Sequence, residues 1–278
     1  MTEVLRSLLG VGRARVGLIL VALLCLMAAL APIVSPYDPV VQIDLADRQM
    51  VPPSLAHPLG TDFYSRDMLA RVLFGARVSL TIALLSVIVS ITVGTVVGLG
   101  SGLAGGAVDA ALMRFVDAAL AIPRVFLLLV VLALWREIGV AGLIAILGLT
   151  SWFGTARIVR AEVLSVKTRE FVVATRALGY GSGRITLRHL LPNVAAPIIV
   201  TATLGVGQIV LLEAGLSYLG IGVRPPIPSW GGMIADGQLH LASAWWISTF
   251  PGLAIMLTVI GFSLIGDSLR NTLDPRTR

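Results

Sequence analysis

Residues 78–108 read VSLTIALLSVIVSITVGTVVGLGSGLAGGAV and contain no charged side chain. A helix rises 1.5 Å per residue, so about 20 apolar residues cross a hydrocarbon core of about 30 Å. This stretch is long enough to do so. It therefore predicts a transmembrane helix, and the same criterion applies along the rest of the chain.

Four further windows lack charge and are long enough to cross a bilayer: 16–37, 138–156, 189–212 and 237–266. A sixth stretch, 118–135, is apolar except for Arg124, and Pro123 lies beside that arginine. The predicted spans are 16–34, 78–100, 118–135, 138–156, 195–215 and 246–266. The predicted fold class is an all-α membrane protein with six transmembrane helices.

Composition supports a polytopic membrane protein. Of the 278 residues, 56% are hydrophobic and only 13% are charged, against about 25% in soluble domains, and the mean hydropathy is +0.93. Too few charges remain to cover a soluble core, which excludes a conventional soluble enzyme, a disordered chain and a nucleic-acid binder. The single Cys25 excludes an internal disulfide and a cysteine metal cluster.

Basic residues predict the orientation. If the N-terminus is cytoplasmic, 14 of the 21 Arg and Lys residues fall in cytoplasmic segments and 6 in extracytoplasmic segments, while Arg124 lies within a predicted span. Both termini are therefore expected in the cytoplasm. The first window could also be a signal peptide, but Pro32 follows the cleavage-like Ala29-Leu30-Ala31, so we interpret it as a retained helix.

These spans predict the domain organisation. It consists of a cytoplasmic N-terminus (1–15), a first helix (16–34), an extracytoplasmic segment (35–77) and a five-helix core (78–278) that includes a cytoplasmic segment (157–194).

Motifs for catalysis and cofactor binding are absent from the sequence. The only lysine, Lys167, follows no glycine-rich loop, so the chain is not predicted to be a P-loop ATPase. The histidines His57, His189 and His240 are scattered without metal-ligand spacing. We therefore expect no catalytic residue, metal or cofactor in this chain, and an energy source on another chain.

Ionisable residues near the predicted span ends are candidates for a transport pathway or gate: Asp117, Arg124 and Glu213, with Pro123 beside them. Asp117 and Arg124 are seven residues apart and would share a face of one helix, either as a structural pair or as pathway-lining groups. A secondary transporter would need an ionisable site at mid-membrane, and the sequence shows none.

Small residues recur at every fourth position of the second span. They are Ser86, Ser90, Gly94, Gly98 and Gly102. Such stripes let helix backbones approach closely in lipid. The pattern predicts a packed helix interface, either within the chain or with another subunit.

The segment 169–193 reads REFVVATRALGYGSGRITLRHLLPN. Good helix formers at 169–178 are followed by Gly179, Gly181 and Gly183, and a second amphipathic stretch, 184–191, is predicted to stop at Pro192. An ordinary positive loop would not need this arrangement. It favours a docking element on the cytoplasmic side.

This segment resembles the EAA motif of ABC-importer permeases, and the resemblance extends along most of the chain. HPLGTD (57–62) with RDMLARVLFGARVSL (66–80), MRFVDAALAIP (113–123), EAGLSYLGIGVRPPIPSWGGMI (213–234) and GDSLRNTLDPR (266–276) resemble the dipeptide/oligopeptide/nickel permease family, in its C-type subunit. In that family glutamate is usual at the position of Val173 and alanine at that of Thr175, while Ser65 replaces a usual glycine.

The resemblance implies a type I ABC-importer permease fold with a cytoplasmic coupling helix. The residues it implies in ATPase coupling are Glu170, Val173, Ala174, Thr175, Arg176, Ala177, Leu178, Gly179, Leu191 and Pro192. It implies a bacterial inner-membrane location, surrounded by lipid.

The implied partners are a homologous permease, two ATPase subunits that hold ATP and Mg, and an extracytoplasmic solute-binding protein that contacts 35–77. Di- or oligopeptides are the expected solute, and nickel or a metal chelate is the alternative.

Overall fold

The computed structural model describes residues 10–44, 47–135 and 138–273. The outermost parts of the predicted cytoplasmic N-terminus and of the C-terminal motif lie outside the described residues. The α-helices, in chain order, are α1 (Gly12–Val34), α2 (Met68–Ala104), α3 (Gly106–Ala121), α4 (Arg124–Leu134), α5 (Val140–Leu149), α6 (Trp152–Val166), α7 (Glu170–Ala177), α8 (Ser182–Ile185), α9 (Leu191–Tyr218), α10 (Trp230–Gly237) and α11 (Trp246–Leu273). A π-helical turn, Thr186–Leu190, joins α8 to α9.

Among the described residues, five continuous helical stretches are long and apolar enough to cross a membrane, and the bent pair α3–α4 would make a sixth. They confirm the prediction of an all-helical, multi-pass membrane protein. The helices extend beyond the charge-free windows. Thus α2 begins at Met68, inside the segment predicted to be extracytoplasmic. Its first turns contain the charged residues Arg71 and Arg77, which the charge-free window left out.

The third span is not one straight helix, as the window 118–135 predicted. It is divided between α3 and α4, whose axes differ by 88°. The break lies at Ile122 and Pro123, which both have extended ψ angles of 123°. A residue that precedes proline is driven away from the helical conformation, and Ile122 is such a residue.

Pro192 does not stop the second helix of the 169–193 segment, contrary to the prediction. The helix runs from α8 through the π turn into α9, and Pro192 lies inside it. A proline ring collides with the carbonyl group four residues earlier in a regular α-helix. The wider π turn Thr186–Leu190 ends two residues before Pro192, and the N–H of Leu191 donates to the carbonyl of Thr186, five residues earlier.

The chain forms two compact units. The first contains the described residues of 10–84, 138–144 and 204–268. Within it α1 and α11 approach closely, since a Cβ atom at Gly17 would lie 2.8 Å from the carbonyl oxygen of Gly261. Trp230 is fully buried, and its indole Nε1 donates to the carbonyl of Val72 at 3.1 Å.

The stretch 57–67, before α2, is packed into this first unit rather than solvated. His57 Nδ1 lies 2.8 Å from Asp67 Oδ2, and the other oxygen of Asp67 accepts the N–H of Ala70 in the first turn of α2. Trp246 Nε1 donates to the carbonyl of Thr61 at 3.0 Å. These contacts attach the stretch to both α2 and α11.

The second unit contains the described residues of 85–135, 145–203 and 269–273. Its core is a cluster of buried aliphatic side chains from α6, α7 and the α8–α9 helix: Val159, Val163, Val166, Val172, Ile185, Leu190 and Val194. The cluster fixes the position of the 169–193 segment.

Candidate functional site

The helix α7 is short and ends in a glycine turn. The N–H of Leu178 donates to the carbonyl of Ala174, and the N–H of Gly179 to that of Arg176. Gly179 has a φ of +83°, in the left-handed region that closes many helices. The chain then reverses through Tyr180 and Gly181 into α8.

One side of this helical hairpin is buried and the other is exposed. Val172 of α7 and Ile185 of α8 lie in the core cluster of the second unit. On the other side, Leu178 is 76% exposed and Leu187 is 69% exposed. These exposed aliphatic side chains make this side of the element a candidate protein-binding surface.

The candidate coupling residues are found mainly on this exposed surface. Exposed members are Glu170, Val173, Ala174, Arg176, Ala177, Leu178, Gly179 and Pro192, and half-buried members are Thr175 and Leu191. Val173 is 54% exposed, so a glutamate side chain would have room there. The hydroxyl of Thr175 donates to the carbonyl of Phe171 at 2.6 Å, which satisfies it within the helix.

The stripe of small residues in α2 faces α6 of the same chain. A Cβ atom at Gly94 would lie 2.6 Å from Cβ of Thr155, and one at Gly102 would lie 2.8 Å from Cγ1 of Val163. Ser86 and Ser90 are buried on the same stripe. Of the two alternatives, within the chain or with another subunit, the structure shows the first.

Asp117 and Arg124 do not pair with each other, so that interpretation is wrong. Asp117 forms an exposed ion pair with Arg157 of α6. Arg124 donates from Nη2 to the hydroxyl of Ser151, at the turn between α5 and α6. The break at Pro123 lies between the two residues and turns their helices apart.

Glu213 is fully buried in α9 and accepts hydrogen bonds from three serine hydroxyls. Its Oε1 accepts from Ser217 at 2.7 Å and its Oε2 from Ser79 at 3.0 Å, and Ser229 also donates to it. Each serine hydroxyl has one proton, and the hydroxyls of Ser217 and Ser79 donate theirs to Glu213.

The three serine oxygens are then left as acceptors for backbone N–H groups. Ser217 Oγ accepts from Val223, Ser79 Oγ from Trp230, and Ser229 Oγ from Gly232, at 2.9, 3.4 and 3.2 Å. Through these bonds Glu213 organises the loop after α9 and the first turn of α10. This pathway candidate is thus a buried organising centre in the first unit.

A second charged group in the first unit consists of Asp62, Arg66, Arg71 and Asp236. Arg66 and Arg71 both donate to Asp62 Oδ2 and, each at 3.1 Å, to Asp236 Oδ2. Asp62 Oδ1 also accepts the backbone N–H groups of Tyr64 and Arg66. The group joins the stretch before α2 to the end of α10.

Comparison with known protein families shows which family the chain belongs to. The sequence model of one protein family, the binding-protein-dependent transport system inner membrane component, matches residues 90–278. The model of the N-terminal TM domain of oligopeptide transport permease C matches residues 2–53. The chain belongs to this family of ABC-importer permeases.

Curated relatives of the permease extend over nearly its whole length. It is 45% identical over 273 residues to the dipeptide transport system permease protein DppC of Escherichia coli, covering 95% of this chain and 89% of that protein. It is 38% identical over 266 residues to the oligopeptide transport system permease protein OppC of Bacillus subtilis, covering 95% and 86%. These matches confirm the resemblance to the C-type subunits.

The fold of the permease also resembles a solved structure. A chain of the MetNI methionine ABC transporter aligns with a TM-score of 0.58 at 20% identity, covering 74% of this chain and 98% of that one. At that identity the match supports the fold, a type I ABC-importer permease, and nothing about the solute.

Two features of the permease do not follow from the sequence. The four-charge group was missed because Asp236 is 165 residues from Arg71 and no local pattern connects them. The serine contacts of Glu213 were missed for the same reason, although Glu213 and Ser217 are four apart, a spacing that places them on one helix face.

Proposed function

We propose that this permease imports short peptides as one half of a two-permease pathway. The observation that carries the proposal is the 45% identity to a dipeptide permease across 95% of the chain. Identity of that extent covers the pathway-forming helices as well as the cytoplasmic segment. Nickel remains the alternative solute of the wider family, and the experiment below includes it.

The proposed partners follow from the family. They are a homologous permease, two ATPase subunits that bind ATP and Mg, and a solute-binding protein. The family description states that transport in such systems depends on a binding protein. The permease is proposed to lie in the bacterial inner membrane with both termini in the cytoplasm. The stretch 35–77 is proposed to contact the binding protein.

The exposed side of α7 and its glycine turn is proposed to be the ATPase contact. Supporting this, Val172 and Ile185 fix the hairpin to the core while Leu178 and Leu187 are presented outward. A force applied to the exposed side would reach α6 and α9 through that cluster. ATP binding on the partners would thereby bias the membrane helices between two states.

Reconstitution of the purified transporter in proteoliposomes tests the function. Radiolabelled dialanine is expected to accumulate only when ATP is enclosed with the ATPase subunits and the binding protein is supplied outside. The purified permease alone should hydrolyse no ATP. Nickel uptake without dialanine uptake would move the solute class to metals, and ATP hydrolysis by the permease alone would overturn the assignment.

A further inference from the structure

The four-charge group borders a cavity of about 150 Å³ in the first unit. Arg66, Arg71 and Asp236 line one part of it, and Val223, Pro225 and Ile227 line another. The cavity therefore has a charged part and an apolar part. Small-solute sites in proteins share this combination of a few convergent polar groups and an apolar lining.

The two carboxylates of the group are not equivalent. The side chain of Asp62 is 1% exposed, accepts two backbone N–H groups and forms the closer ion pair with Arg66, at 2.7 Å. Asp236 is 29% exposed, and both of its contacts with the arginines are 3.1 Å long. Asp62 is thus built into the fold, whereas Asp236 is a replaceable carboxylate at the edge of the cavity.

Arg71 has one donor without a partner among the described residues. The side chain of Arg71 is 5% exposed, and its Nε has no hydrogen-bond partner within the described part of the chain. A guanidinium offers five N–H donors in a fork that fits a carboxylate with two parallel bonds. Arg66 and Arg71 both line the cavity, so a carboxylate of a ligand there can accept from the same Nη2 donors that now bind Asp236.

We propose that Arg66 and Arg71 form a binding site for the C-terminal carboxylate of a peptide, and that Asp236 occupies this site in the present structure. The inference rests on the proposed function and names the part of the solute that the permease itself recognises. A bound peptide displaces the Asp236 carboxylate and places its last side chain against Val223, Pro225 and Ile227. Asp236 therefore lowers the apparent affinity by occupying the arginines.

The test uses the complete transporter in nanodiscs without its solute-binding protein. Dialanine is titrated while thermal unfolding is followed, and dialanine amide, which lacks the carboxylate, is titrated in parallel. In Asp236→Asn the arginines lose their charged competitor, so half-saturation by dialanine should fall about tenfold from wild type. Half-saturation by the amide should not change, and Arg71→Gln should abolish the response to dialanine.

Matched controls remove the same charges elsewhere. Asp38→Asn neutralises an exposed carboxylate, and Arg77→Gln removes an exposed arginine on the same helix as Arg71. Both should bind dialanine as wild type does. Equal responses of Asp236→Asn to dialanine and its amide would overturn the proposal, and so would wild-type binding by Arg71→Gln.

Two further outcomes also decide the matter. Acetate is a second probe: binding of acetate but not of dialanine by Asp236→Asn would show a site for a free small anion and would overturn the peptide assignment. Asp236→Ser is a second variant of smaller volume. Failure of both Asp236 variants to assemble would show that Asp236 is structural, which also overturns the proposal.

The solute proposal fails separately. If wild type imports dialanine but the Asp236 and Arg71 variants bind it as wild type does, only this inference fails. If the variants show the expected shifts while wild type imports no peptide, the carboxylate site is retained and the proposed transport of peptides fails.

Discussion

Gly98 of α2 and Ala156 of α6 approach so closely that a Cβ atom at residue 98 would lie 2.6 Å from the carbonyl oxygen of Ala156. No side chain fits between the two backbones at this point. The contact is one of a series, with Gly94 above it and Gly102 below it along the same helix. The second unit therefore depends on glycine at these positions for its packing.

The first prediction follows from this contact. Gly98→Ala should destabilise the purified permease by about 1–3 kcal/mol, because the added methyl group forces the helices apart. Gly100→Ala is the matched control, since a Cβ there would have no atom within 4 Å. Thermal unfolding in detergent measures both, and equal stability of the two variants would contradict the packing role.

The second prediction concerns the turn after α7. Gly179→Arg should leave the permease inserted and abundant but abolish solute uptake and co-purification of the ATPase subunits. A side chain at φ +83° strains the backbone by about 1–2 kcal/mol, and arginine adds bulk and charge to the proposed contact. A Cβ at residue 179 would meet no atom within 4 Å, so the variant is expected to fold without a clash inside the permease itself.

Two variants serve as controls for that experiment. Gly181 has an ordinary φ of −64°, so Gly181→Ala should transport normally. Val173→Glu restores the residue usual in the family at an exposed position and should also be tolerated. Normal uptake by Gly179→Arg at normal abundance would remove the coupling role.

The third prediction tests Glu213 as an organising centre. Glu213→Gln replaces an acceptor by an amide that donates, which leaves at least one serine hydroxyl without its partner. The expected loss is about 1–3 kcal/mol of stability. A double-mutant cycle with Ser79→Ala should show a coupling energy above about 0.5 kcal/mol, whereas additive effects would mean that the two side chains act independently.

The fourth prediction concerns Arg124. Its Nε is buried without a partner in the described residues. Its Nη2 donates to the carbonyl of Leu147, which also accepts from the hydroxyls of Ser151 and Thr150. Arg124→Met therefore removes an incompletely paired charge and orphans no carbonyl. Its unfolding temperature should equal or exceed that of wild type, because desolvation outweighs the bonds that are lost.

Arg114→Met, which removes an exposed arginine of α3, is the reference for that measurement. A clear fall in unfolding temperature for Arg124→Met alone would show that Arg124 stabilises the turn at Ser151. Retained stability together with loss of uptake would favour its role in the transport pathway.

The fifth prediction concerns orientation. In a Cys25→Ser background, a cysteine at Ser54 should react with an impermeant maleimide added to intact spheroplasts, and one at Ser182 should react only after lysis. Both serines are exposed, so accessibility of the side chain does not limit labelling. Labelling of residue 182 in intact cells would reverse the proposed orientation.

The helical class was predictable because uncharged runs as long as 78–108 or 246–266 have the length of a membrane-spanning helix, which makes all its backbone hydrogen bonds within the segment. The ends of the helices were less predictable. The start of α2 at Met68 depends on Asp67 and His57 as its cap, and the course of the chain through Pro192 depends on a π turn. Neither follows from hydropathy, which reports burial and not hydrogen bonding.

The candidate site was predictable to different degrees. Glycine at 179 has a local cause, the left-handed turn after α7, so the sequence alone indicated it. The interpretation of Asp117 and Arg124 as a pair failed because it assumed an unbroken helix across Pro123. Asp236 was missed because its contacts with Arg66 and Arg71 arise only when distant segments fold together.

Substitutions on the two sides of α7 are expected to be tolerated to different degrees. Val172 is held by the core of its unit, so a change there is penalised by loss of stability whatever the partner is. Val173, one position further, is 54% exposed, so the core of the unit does not restrict the size of its side chain. Substitutions at residue 173 should therefore alter the proposed ATPase contact without endangering the membrane-embedded body of the permease.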